Sequence, residues 1–106
     1  MAFTLKTLNA FEMTHREAAC EIEATRPGHR AFVGVYPPLP ENNIPQWRIK
    51  KFEIPEHLVH KSVYDGDFVD LEYVYVDTLE EVEQALASRD VDSSKFDAPW
   101  KSDYPG

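Results

Sequence analysis

The chain is poor in the residues that build disulfides, phosphate cradles and membrane spans. Its 106 residues hold one cysteine, Cys20, so no intrachain disulfide can form. Four glycines are present, Gly28, Gly34, Gly66 and Gly106, and no two fall at a G-x-G or P-loop spacing. No apolar run approaches the roughly 20 residues that cross a bilayer. The N-terminal MAFTLKTLNAF lacks the basic region and long apolar stretch of a secretion signal. A lone cysteine in such a chain points to a reduced, cytoplasmic setting. Positive charge is also scarce. The net charge is -8, the wrong sign for neutralising phosphates, which argues against nucleic acid and against anionic membrane surfaces as partners.

The shortage of basic residues is local. Residues 1–53 carry seven Lys/Arg and six Asp/Glu, whereas residues 54–106 carry four and thirteen. Between Lys61 and Arg89 there is no basic residue, and that window holds Asp65, Asp67, Asp70, Glu72, Asp77, Glu80, Glu81 and Glu83. Such an asymmetry bears on partners and solubility, not on fold.

What the chain does have is enough apolar material for one core. The hydrophobic fraction is 42%, above what a disordered chain carries, and the length fits a single domain spanning 1–106. Phe68 to Asp77 reads as a strand, with Val69, Leu71, Tyr73 and Tyr75 on one face and Asp70, Glu72, Val74 and Val76 on the other. Thr78 to Ser88 reads as a helix. Thr78 and Glu81 are spaced as a capping box, and Leu79, Val82, Ala85 and Leu86 form the apolar stripe. Arg30 to Tyr36 and Gln46 to Ile54 read as strands, the second with a phase change that a bulge near Lys50-Lys51 would reconcile. Residues 37–45 form a stiff proline-rich loop. Pro55-Glu56 opens either one helical turn or, from Leu58, a further strand closed by an Asp65-Gly66 turn.

The N-terminal third has two readings. Leu8, Phe11, His15, Ala18 and Ile22 recur at helical spacing, and Asn9 with Glu12 is spaced as a capping box. Against that, Ala18, Cys20, Ile22 and Ala24 alternate as in a strand, with a type II turn at Arg26-Pro27-Gly28-His29. The abundance of Ala and Glu favours a helix from Asn9 to Ala24. The tail, residues 96–106, holds Phe96, Trp100 and Tyr104 and is expected to pack on the domain. The expected class is α+β: a single antiparallel sheet of three to five strands with helices packed on one face.

Chemical motifs are few, and no residue stands out as catalytic. His57 and His60 have a spacing that places two imidazoles on one helix face, with Asp65 or Asp67 able to add oxygen. Two ligands fall short of a zinc site, so no metal site and no cofactor are expected. The alternative function, a small-ligand or metal-binding enzyme, would rest on this His57/His60 region. Cys20 lies among Glu17, Glu21 and Glu23, an environment that suppresses a thiolate, and reads as a core residue. Asp70 and Glu72 are expected to find cross-strand partners in Arg48 and Lys50.

The acids that remain, Asp65, Asp67, Asp77, Glu80, Glu81 and Glu83, combine with Tyr75 and Trp100 into the one constellation suited to binding. Carboxylates steer a basic partner, and aromatics anchor the contact. The expected function is a non-catalytic, acidic protein-binding module acting on a basic protein, as a monomer or homodimer. A structural subunit of a homo-oligomer is a third reading.

The stretch YVYVDTLEEVEQAL followed by SSKFDAPWKSDYP resembles the C-terminal part of small bacterial immunity proteins that accompany contact-dependent or polymorphic toxins. It covers the last third of the chain. The resemblance implies a stoichiometric inhibitor that covers the active site of a cognate toxin, often a basic nuclease, with the acidic window standing in for phosphates.

Overall fold

The structure is a computed structural model and describes residues 2–106. The chain runs α1 (Leu5–Thr14), β1 (Ala18–Ile22), β2 (His29–Tyr36), β3 (Trp47–Pro55), β4 (Val69–Val76) and α2 (Leu79–Ala87). The four strands form one sheet in the order β1-β2-β3-β4, and every neighbouring pair is antiparallel. Short connections deliver that order, because consecutive antiparallel strands pair most directly. Both helices lie on one face. Phe11 of α1 and Val82 and Leu86 of α2 share a buried cluster with Cys20, Val33, Val35 and Ile49. The fold is therefore α+β, with a single antiparallel sheet and helices on one side. No helix among the described residues is long and apolar enough to cross a membrane.

The N-terminal third takes the strand reading, not the helix to Ala24. Helix α1 begins earlier, at a Thr4 cap whose hydroxyl accepts from the Thr7 N–H, so Asn9 caps nothing. It ends at His15, which adopts the left-handed conformation (φ 50), and the Arg16 N–H bonds back to Ala10 O at 3.2 Å. Ala18, Cys20 and Ile22 then pair with Val35, Val33 and Ala31. The preference of Ala and Glu for helix is worth only tenths of a kcal/mol per residue, and a sheet ladder with a buried face outweighs it. Gly28 (φ 70) supplies the left-handed position that a type II turn between β1 and β2 requires.

Strand β3 contains no bulge toward β2; the register runs unbroken from His29↔Pro55 to Tyr36↔Arg48. Its change of apolar phase arises because both of its faces are covered. Trp47 and Ile49 meet the helices, while Phe52 and Ile54 meet a second cluster with Phe32 and Val59. The irregularity sits in β4 instead. Lys51 pairs with Glu72 but Glu53 pairs with Val69, so β4 carries the extra residue, at left-handed Asp70 (φ 54).

The segment between β3 and β4 forms 3-10 turns at Glu56–Leu58 and Asp65–Asp67 and no fifth strand. It contributes Val59 and Phe68 to the second cluster, where Phe52 and Phe68 stack with ring centroids 4.1 Å apart.

The tail wraps around the β1 edge of the sheet. Phe96 is buried on the helix face, and its carbonyl accepts from Thr7 Oγ1 at 2.9 Å. Asp97 bridges Ala19 through reciprocal backbone hydrogen bonds of 2.9 and 3.1 Å. Tyr104 then reaches the opposite face, where it packs with Phe32 and Phe52 and shares a 2.6 Å hydrogen bond with the Tyr36 hydroxyl.

Candidate protein-binding surface

The residues singled out in the sequence do not gather in one place. They divide among the open face of β4, the strand-to-helix corner after it, and the opposite edge of the sheet.

On the open face, register alone builds two rows across the strands. Tyr36, Arg48 and Tyr75 are neighbours on β2, β3 and β4; Gly34, Lys50 and Tyr73 form the next row. Arg48 stacks over the Tyr36 ring at 5.2 Å and makes no ion pair among the described residues. Tyr73 and Tyr75 lie roughly parallel, with centroids 6.4 Å apart, and are 44% and 56% exposed. Both helices pack on the opposite face, and the second cluster covers this one only toward Phe52 and Phe68, so both rings meet solvent.

Asp65 joins this face. One oxygen lies 3.4 Å from Lys50 Nζ, and the other accepts from the Tyr73 hydroxyl at 3.1 Å. The Lys50 ammonium is itself nearly buried, 4.5 Å from the Phe68 ring centre and 5.7 Å from that of Tyr73. Asp65 is thus partly spent on neutralising a buried cation. Asp67 holds the local turn, accepting from the Tyr64 N–H at 2.9 Å.

At the corner, Asp77 follows the last residue of β4 and its side chain accepts from Gln46 Nε2 at 3.0 Å. Thr78 caps α2: its hydroxyl oxygen accepts from the Glu81 N–H at 3.1 Å, and the hydroxyl donates to Glu81 Oε1. Glu80 and Glu81 lie in the first turn, where the helix dipole favours them, and Glu83 follows on the same helix. None of Asp77, Glu80, Glu81 and Glu83 makes an ion pair among the described residues.

Trp100 is elsewhere. It is 68% exposed and belongs to the tail at the β1 edge, where it lines a groove of about 530 Å³ with Met13 and Ala10 of α1. Trp100 at the β1 edge and Tyr75 on β4 are thus at opposite edges of the four-stranded sheet, which are separated by roughly 14 Å.

The expected partners of Asp70 and Glu72 are corrected by the register. Arg48 and Lys50 face Tyr75 and Tyr73, not the acids. Glu72 pairs with Arg89 at 2.9 Å and Asp70 with Arg26 at 3.2 Å. The hydrogen bonds from Arg89 hold the Glu72 carboxyl below the usual carboxylate range.

His57 and His60 are both exposed, and no three His, Cys, Asp or Glu side chains converge as metal ligands among the described residues. Cys20 is buried in the helix-side core. Burial, reinforced by Asp92, pushes its thiol up to about 12. The flanking glutamates anticipated for that effect are not its cause, because alternation along β1 places Glu21 on the other face of the sheet.

Sequence reasoning missed the Tyr36–Arg48–Tyr75 row. The alternation of Tyr73 and Tyr75 was legible, but nothing local reveals which strands flank them or which face the helices leave open.

No known protein family, curated protein or solved structure matches the chain.

Proposed function

We propose that this protein is a non-catalytic binding module that engages a basic protein through the β4–α2 corner, as a stoichiometric inhibitor of the immunity type would. One observation carries the reading. Once the ion-paired acids are set aside, Asp77, Glu80, Glu81 and Glu83 make no ion pair among the described residues and share one corner, reached directly from the strand that exposes Tyr73 and Tyr75. Unpaired carboxylates there accelerate encounter with a cationic surface, and desolvating the tyrosines supplies short-range affinity.

The test begins with capture of partners from the native host at low ionic strength. The association rate of the purified partner is then compared between the wild type and Glu80→Lys/Glu81→Lys/Glu83→Lys. A fall of roughly tenfold at low salt, converging with the wild type at high salt, is expected for electrostatic steering. An unchanged rate at low salt removes the corner from the binding site. Tyr75→Ala should act on the dissociation rate instead.

A further inference from the structure

The two edges of the sheet are treated differently. The β1 edge is closed by the tail, through the Ala19↔Asp97 bridge. The outer edge of β4 is paired by no strand among the described residues. Proteins usually guard such an edge with lysine, proline or a covering segment, because its free N–H and C=O groups template another strand. Residues Val69–Val76 contain no Lys and no Pro. The left-handed bulge at Asp70 ends the regular part, and from Glu72 to Val76 the ladder with β3 is uninterrupted, a length of about 17 Å.

The charges on β4 do not guard the edge either, because Asp70 and Glu72 are tied down by Arg26 and Arg89. What guards it against a second copy is net charge. Pairing β4 with β4 would bring together two chains of -8 each, with their acidic corners close to the junction. The same field attracts a strand of opposite sign.

We infer that β4 binds its partner by strand addition, accepting an extended basic segment in which apolar and Lys or Arg residues alternate. The inference rests on the basic-partner reading and specifies how that partner docks. Backbone hydrogen bonds to Glu72–Val76 set the register. Residues on one face of the added strand lie beside Tyr73 and Tyr75, where aromatic and β-branched side chains make favourable cross-strand pairs. Cationic residues at its end reach Asp77 and Glu80.

The probe is a capped peptide alternating lysine and valine over about ten residues, the length of a strand with overhang at both ends. It is compared with the same peptide N-methylated at every residue, which keeps the side chains and charge but has no N–H to donate. Binding is followed by titration, and amide hydrogen exchange is followed residue by residue on the full chain. The expected result is that the parent peptide slows exchange within Glu72–Val76, and that N-methylation weakens binding by at least about tenfold. If both peptides bind equally, with equal salt dependence, the basic-partner reading stands and strand addition is overturned. If neither binds at low salt, both fall. If β4 amides in the free protein gain protection as protein concentration rises, a second copy is the occupant and the inference is overturned.

Discussion

A Cβ added to Gly34 would lie 2.6 Å from Cζ of Tyr104, so the tyrosine ring occupies the space above the one glycine of β2. The contact joins the centre of the sheet to the end of the chain. It also explains how the tail holds the open face: the ring lies flush on the backbone, packs on Phe32 and Phe52, and meets the Tyr36 hydroxyl. Burial, with Tyr36 beside it, raises the Tyr104 phenol far above its ordinary pKa, so it stays protonated and available to that hydrogen bond.

Gly34→Ala should therefore destabilise the protein although alanine suits a strand better than glycine. The gain in chain stiffness is below about 1 kcal/mol, whereas overpacking against a fixed ring costs about 1–3 kcal/mol. Urea unfolding measures the difference. In the Tyr104→Ala background the same substitution should be neutral or stabilising, and additive effects in that double-mutant cycle would contradict the contact.

Glu53 anchors the β1–β2 turn. Its buried carboxylate accepts from the Thr25 N–H and hydroxyl at 2.9 and 2.6 Å and from the Arg26 N–H at 3.1 Å. Burial disfavours the charge, but these hydrogen bonds outweigh it and hold the group below the usual carboxylate range. Glu53→Gln should cost about 1–3 kcal/mol at neutral pH. The folded pKa is depressed, so the stabilisation is complete above the unfolded value of about 4.3 and is lost as pH falls through the folded value. Stability measured against pH should accordingly fall less steeply below about pH 4 in Glu53→Gln than in the wild type.

Cys20 should be inert in the native protein. With its thiol pushed up to about 12 and its side chain in the core, an aromatic disulfide reagent at about pH 8 should label it only through unfolding, at a rate that rises with denaturant. Rapid stoichiometric labelling without denaturant would contradict the burial.

His15 closes α1 in the left-handed region, where a side chain is disfavoured. His15→Gly should raise stability by about 0.5–1 kcal/mol, and His15→Val should lower it by more than that. Equal melting temperatures for the two variants would show that the local geometry does not matter.

The parts of the fold legible in the sequence are those whose signals are local. Val69–Val76 alternates with period two, and Thr78 caps Leu79–Ala87 within four residues, so strand, corner and helix follow from neighbours along the chain. The acids at that corner were equally visible, because charge needs no folding to be counted. Phe96 and Tyr104 were visible as residues that must be covered, and the sheet covers both, one on each face. Trp100 obeys no such rule and stays exposed.

Tertiary structure decided the rest. Whether Ala18–Ile22 is helix or strand turns on Val33 and Val35, which lie across from it only once the sheet exists. The partners of Asp70 and Glu72 are Arg26 and Arg89, on other elements, and no spacing rule reaches them. That separation has a physical cause. Local propensities differ by fractions of a kcal/mol per residue, whereas burying a large apolar side chain contributes roughly 1.5–3 kcal/mol. The sequence alone determined the class, the charge and the β4–α2 corner. Packing determined which strand flanks β4, which face the helices leave open, and which edge no strand among the described residues pairs.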